Sequence, residues 1–261
     1  MKIKWYGTAT ILLEQGGTQL LFDPFLSLNA KLFKPPMSEL SVIDNILVTH
    51  GHLDHIADIP DIWKQGGGNT KVYCTATPKE TLILKGVEAS SIYKIAPGDV
   101  LSFGPFEVRV LKGKHVVYNK GLLIKTIVNP RIFSNLSNFR YLRKENKKCA
   151  EAGETVIYDV KVSNKRILLM GSLNLDDDTE YPKGADLMIL PFQGRTGIEK
   201  YAMTFVDRLQ PKKVLLDHFD DTFPPVSSPV KTGPFISQMH QKYPDIKITC
   251  PKASADWIEL G

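Results

Sequence analysis

Cysteine is scarce in this sequence: three in 261 residues, Cys74, Cys149 and Cys250, far apart and without a Cys-x-x-Cys pair. That excludes a disulfide framework and argues against a thiolate zinc site. Reduced thiols suit a cytoplasmic protein, which is the expected compartment. Long apolar runs are missing too. The best of them, such as Ile167–Met170, are strand-sized, so no transmembrane segment is expected. Lys2 and Lys4 are not followed by the apolar stretch that a secretory leader needs. A strong excess of one charge is also absent, with 33 basic against 28 acidic residues. A dedicated nucleic-acid binder is more basic and more clustered, and here the aromatics do not interleave with a basic patch, so nucleic acid is not an expected partner. There is no Gly-x-Ser-x-Gly around a nucleophilic serine. Gly66-Gly67-Gly68 lacks the Lys-Ser/Thr that would complete a phosphate loop.

What is present is an ordinary globular composition, 43% hydrophobic and 23% charged, in a chain long enough to bury a sizeable core. Ile11–Glu14 and Gln19–Phe22 flank a glycine turn and read as a hairpin. Val42–Thr49 reads as a strand ending at His50. Ile56, Ile59, Ile62 and Trp63 recur at helical spacing until Gly66-Gly67-Gly68. Lys71–Thr75, Val100–Phe103 and Phe106–Leu111 follow as strands. The second half begins again with strands at Gly121–Val128, Thr155–Val162, Arg166–Met170 and Leu187–Pro191. A helix over Ile198–Leu209 and a strand over Val214–Asp217 come next, then a helix over Phe235–Lys242 and two closing strands. Strands followed by helices, twice over, do not fit a doubly wound parallel sheet. They predict two sheets packed face to face with helices outside.

The chemistry is concentrated in Thr49-His50-Gly51-His52-Leu53-Asp54-His55, where three histidines and an aspartate follow an apolar strand directly. Imidazole and carboxylate suit a borderline divalent cation such as zinc, manganese or iron. His-x-His places two rings on one side of an extended loop, within reach of one ion. Asp54 and His55, displaced into the turn, can reach a second. A helix cap at Asp54 beside solvated histidines is the bland alternative, but four ligand-type residues at a strand end point to a metal.

His-Gly-His-Leu-Asp-His resembles the HxHxDH signature of the metallo-β-lactamase-fold superfamily, and its surroundings resemble that family along essentially the whole chain. Asp23 ends Leu20-Leu21-Phe22, like the family's strand-ending aspartate. His115 follows strand Phe106–Leu111, and His218 follows strand Val214–Asp217, where the family places its remaining histidines. The branch most resembled is that of compact zinc-dependent hydrolases, with lactonase-like and phosphodiesterase-like members. The resemblance implies a single α+β domain over residues 1–261, a four-layer αββα sandwich. It implies that His50, His52 and His115 hold one metal, that Asp54, His55 and His218 hold another, and that Asp23 orients the histidine loop. Zinc is the expected ion, one or two per chain, with manganese or iron as the other choices.

One position departs from the family. Where a metal-bridging aspartate usually follows a strand, this chain has Gly171-Ser172-Leu173. A hydroxyl is a poor ligand beside a carboxylate, and losing that charge weakens the hold on two adjacent dications. The expectation is therefore a mononuclear site, or a dinuclear one with a bridging water; Asp176, Asp177 or Asp178 reaching the site is the least favoured outcome because they lie far past the strand, and loss of activity is a further one.

The implied function is hydrolysis of a small, anionic ester, lactone or phosphodiester by metal-bound hydroxide. Asp54 would orient the nucleophile and pass a proton to the leaving group. A non-enzymatic metal-binding or sensing protein and a nucleic-acid-processing hydrolase are the competing readings. Arg131–Lys148 carries six basic residues against Glu145, the whole positive excess of the chain. It reads as an amphipathic helix, either a plain surface helix or a lid or membrane-contact element. As a lid it would present Arg140, Arg143 and Lys144 to an anionic substrate.

Overall fold

Side chains alternate across a strand, so a strand with apolar residues at successive positions must be covered on both faces. In β2 (Thr10–Gln15), Ile11 and Leu13 enter one buried cluster and Leu12 another. In β9 (Val156–Val162), Val156, Tyr158 and Val160 share that first cluster, while Ile157 lies in a third. The computed structural model describes residues 1–117, 129–149 and 153–260. Among these, the strands form two seven-stranded sheets.

The first sheet has the order β14 (Ile258–Glu259), β1 (Lys2–Gly7), β2, β3 (Thr18–Phe22), β4 (Asn45–Leu47), β5 (Lys71–Cys74) and β6 (Ile92–Lys94). The second has the order β13 (Lys247–Thr249), β12 (Lys213–Asp217), β11 (Leu187–Pro191), β10 (Lys165–Met170), β9, β8 (Phe106–Lys112) and β7 (Val100–Phe103). The central cluster draws residues from both sheets and lies between them. Helices α1 (Met37–Leu40), α2 (Leu53–Ile56), α3 (Ile59–Gln65) and α4 (Ala76–Leu84) contribute to the cluster on the outer face of the first sheet. Two more, α5 (Arg131–Ser134) and α6 (Leu136–Asn146), follow, and α6 reaches that same cluster through Leu142. On the other side, α7 (Ile198–Leu209) and α8 (Gly233–Lys242) cover the second sheet through Phe205, Val206, Phe235 and Met239. The four layers are the αββα sandwich that the strand-then-helix pattern predicts.

Topology then gathers particular loops. β3 and β4 are parallel neighbours, so Asp23 and Thr49-His50 leave the first sheet side by side. β8, β10, β11 and β12 share one direction, as two antiparallel steps separate β8 from β10 and the later pairs are parallel. Their C-terminal loops therefore leave the second sheet along one edge. Hydrogen bonds join the two edges: Val156 N–H donates to Thr49 O (2.9 Å), Tyr158 O–H to Val48 O (2.6 Å) and His218 N–H to Thr8 O (2.7 Å).

Several elements differ in extent from the sequence reading. The strand foreseen over Val42–Thr49 shortens to β4, because Val42 turns outward and is 72% exposed. The helix through Ile56–Trp63 divides into α2 and α3, with Pro60 in the first turn of α3 where its missing N–H costs nothing. Strand Gly121–Val128 lies outside the described residues. No helix among the described residues is long and apolar enough to cross a membrane.

Candidate metal centre

Five of the six histidines converge on the joined sheet edges; His240 sits exposed on α8. Two triads form, His50 with His52 and His115, and Asp54 with His55 and His218. In each, the possible ligand atoms lie within 4.8 Å of one another. The triads are contiguous, since the rings of His50 and His55 are 3.9 Å apart at their centroids. Every residue of both sets lines one cavity of about 620 Å³.

Behind the rings stands a scaffold of acceptors that fixes their orientation. Asp23 is fully buried, in the left-handed region at φ 46°, a conformation that a non-glycine residue adopts only under constraint. Its carboxylate accepts from Thr49 N–H (2.7 Å) and Thr49 O–H (2.6 Å) and lies 2.9 Å from His55 Nδ1. Since Thr49 donates to Asp23, its oxygen is free to accept from His50 Nδ1 at 3.1 Å. His115 Nδ1 donates to Val116 O (2.8 Å) and His218 Nδ1 to Gln193 Oε1 (2.7 Å). Four rings are thus anchored through Nδ1, leaving Nε2 as the atom facing the cavity. His218 is itself at φ 57°, which places its ring over Asp54.

The electrostatics divide the two triads. Burial and the neighbouring rings push His50 well below the usual imidazole range, and the same effects lower His115 to about 4. Both are neutral at physiological pH, with lone pairs crowded into one space. His218 is different. Burial opposes its charge, but the hydrogen bond and charge of Asp54, 3.1 Å from Nε2, outweigh burial and raise it to about 9. Burial pushes the Asp54 carboxyl up, yet His55 and His218 together hold it below its ordinary range. The second triad is an imidazolium–carboxylate pair when metal-free. Five imidazoles and one carboxylate, two of the rings neutral and four held through Nδ1, fit a borderline dication in each triad.

Ser172 falls at the end of β10, 5% exposed, on the cavity wall, and its Oγ accepts from Val116 N–H (3.0 Å). It occupies the place expected for a bridging aspartate and is tied to the His115 loop instead. The basic residues expected from α6 are not gathered with the triads. Arg140 and Lys144 are exposed and line neither this cavity nor the next. Arg143 borders an adjoining apolar cavity of about 290 Å³ that also touches Asp54. Two residues that sequence reading passed over are Gln193, which holds His218, and Arg195, which lines the main cavity. The available signal was the glycine-flanked loop Gln193–Gly197 at a strand end.

A family profile described as the Beta-lactamase superfamily domain matches residues 2–218. With its two sheets, flanking helices and histidine-lined edge, the chain belongs to the metallo-β-lactamase-fold superfamily. Similar sequences are UPF0173 metal-dependent hydrolases. Those of Ligilactobacillus salivarius and Bacillus subtilis (YtkL) are 28% and 27% identical, covering 88% and 86% of this chain and 90% and 87% of theirs. One from Azorhizobium caulinodans is 36% identical over 117 residues, 44% of this chain, and there the match spans about half of the relative, 49%. Among solved structures, the metallo hydrolase Igni18 of Ignicoccus hospitalis superposes with a TM-score of 0.63 at 16% identity, over 98% of this chain and 97% of that one. An isothiocyanate hydrolase from Delia radicum gut bacteria gives 0.63 at 13% identity, over 99% and 98%. At such identities the likeness is one of fold.

Proposed function

We propose that this protein is a metal-dependent hydrolase of a small ester, lactone or phosphodiester, built as one domain around the two triads. The observation that carries the reading is the adjacency of the triads on one cavity wall, with donors oriented from behind. His50, His52 and His115 would hold one divalent ion and Asp54, His55 and His218 the other; zinc fits the nitrogen-rich set best, with manganese and iron as alternatives. Such an ion, when bound, acidifies water and polarises a substrate oxygen. The chain supplies the rest. Asp23, Thr49 and Gln193 keep the imidazoles in register, and Asp54 Oδ orients the attacking water and delivers its proton to the leaving group. Leu173, Val226 and Val230 give the cavity an apolar wall.

Ser172 supports a less tightly held ion in the Asp54 triad, because no second carboxylate is there to balance two dications. It is also the observation that favours a metal-binding protein without turnover. Metal analysis combined with hydrolysis of a lactone and phosphodiester panel separates the readings. The hydrolase reading expects metal-dependent turnover, abolished by a chelator and by His50→Ala. Bound metal with no turnover of any panel member would favour the sensing role. Ser172→Asp should raise metal content toward two per chain.

A further inference from the structure

Among the described residues, Arg195 is a cation with no counter-charge: its guanidinium makes no hydrogen bond and no ion pair, and Nε is buried without a partner. The group lies over the Tyr201 ring, with Cζ 3.9 Å from its centroid, a cation–π contact. A half-buried guanidinium that lacks a carboxylate is costly, and such a site is commonly completed by a ligand.

Its position says which ligand. Arg195 lines the same cavity as both triads. Its loop begins with Gln193, which holds His218, and bends at Gly194 (φ 103°) and Gly197 (φ 65°), conformations that favour glycine. The platform under it is tied to the other triad: Tyr201 O–H donates to Asn174 Oδ1 (3.1 Å), and Asn174 Nδ2 donates to the carbonyl of His115 (3.1 Å). One short loop and one hydrogen-bonded chain therefore set Arg195 in fixed relation to the whole metal centre.

We infer that Arg195 is the specificity-determining anchor of the proposed site. Its guanidinium pairs with a carboxylate or phosphate oxyanion on the substrate, remote from the bond that is cleaved. The planar fork suits two-point recognition of an oxyanion, which an ammonium group cannot reproduce. The apolar wall of Val226 and Val230 takes the body of the substrate between the anion and the reacting centre. The anchor rests on the hydrolase reading for its use but not for its detection, because it binds anions whether or not turnover follows.

The test uses metal-loaded protein and two readouts. By calorimetry, glutarate, adipate and pimelate are compared with the monocarboxylates of the same chain length. Both kinds can place one carboxylate at the metal centre, but only the diacids have a second for Arg195. In wild type at least one diacid should bind tenfold or more tighter than its monoacid. Arg195→Gln should abolish that preference, Arg195→Lys should restore part of it, and exposed Arg140→Gln should leave it intact. For turnover, 4-nitrophenyl hydrogen adipate is compared with 4-nitrophenyl hexanoate, and Arg195→Gln should lower the anionic-to-neutral ratio of kcat/KM through KM. No diacid preference in wild type, or one unchanged in Arg195→Gln, overturns the anchor. A preference that depends on Arg195 without cleavage of either ester sustains the anchor and counts against the hydrolase reading.

Discussion

Asp23 is the residue on which the most geometry depends. One carboxylate, fully buried, satisfies the amide and hydroxyl of Thr49 and faces His55 Nδ1, and through Thr49 it also sets His50. Removing it strands several buried donors, each costing about 1–3 kcal/mol. Asp23→Ala should therefore lower stability by roughly 3 kcal/mol, seen as a fall in Tm, and weaken metal binding by about 10–100-fold. A variant with wild-type Tm and metal affinity would show that the carboxylate is incidental.

The histidines also predict a pH dependence with two signs. His115, lowered to about 4, stabilises the metal-free protein above its unfolded value of 6.5, and that contribution is lost as pH falls from 6.5 toward 4. His218, raised to about 9, contributes stability below 6.5 that is lost as pH rises through 9. Metal at the Asp54 triad must displace the His218 proton, so affinity there should strengthen by about tenfold per pH unit between pH 7 and 9, whereas the His50 triad should change little over that range. Zinc titrations at three pH values measure both, and proton release should accompany the weaker event.

At the scale of elements, the site depends on how closely two strand ends approach. A Cβ on Gly171, just past β10, would run into the Thr49 side chain just past β4. Gly171→Ala must push Thr49 away from Asp23 and His50, and should cost about 1–3 kcal/mol, the range of core overpacking. Thermal melts read the loss, and metal affinity should fall with it; a variant unchanged in both would contradict the close approach. In α6 the same logic separates anchor from surface. Leu142 is buried in the outer cluster of the first sheet and Lys85 holds Glu145 at 2.7 Å, while Arg140 and Lys144 face solvent. Leu142 docks this helix, and Arg140 and Lys144 lie on its exposed side.

Across the whole molecule, what could be read from the sequence and what could not follow from range. The histidine motif, the strands ending at Asp23, His115 and His218, and the two-sheet architecture rest on local alternation and residue chemistry, and sequence carries both. The division of α2 from α3 was written in Pro60, and the shortening of β4 in the exposure of Val42, which depends on tertiary neighbours. Gln193 and Arg195 escaped notice because a lone glutamine or arginine in a loop has no signature; their roles appear only when parallel strands β11 and β12 bring Gln193 against His218. The basic run after Arg131 drew attention by charge density, yet among the described residues the cation on the wall of the main cavity is an arginine from another loop.

The central claim is that the joined edges of the two sheets form a metal centre. Calorimetric titration of the metal-free protein with zinc at pH 7.5 tests it most directly, with His52→Ala in parallel. His52 is half-buried, whereas His50 and His55 are buried, so its loss should remove ligation and spare the fold. A tight event of about one ion per chain is expected, with a second, weaker event at the Asp54 triad. In His52→Ala the tight event should weaken by at least a hundredfold while Tm stays near wild type. No zinc uptake by wild type, or uptake that His52→Ala leaves unchanged, would contradict it.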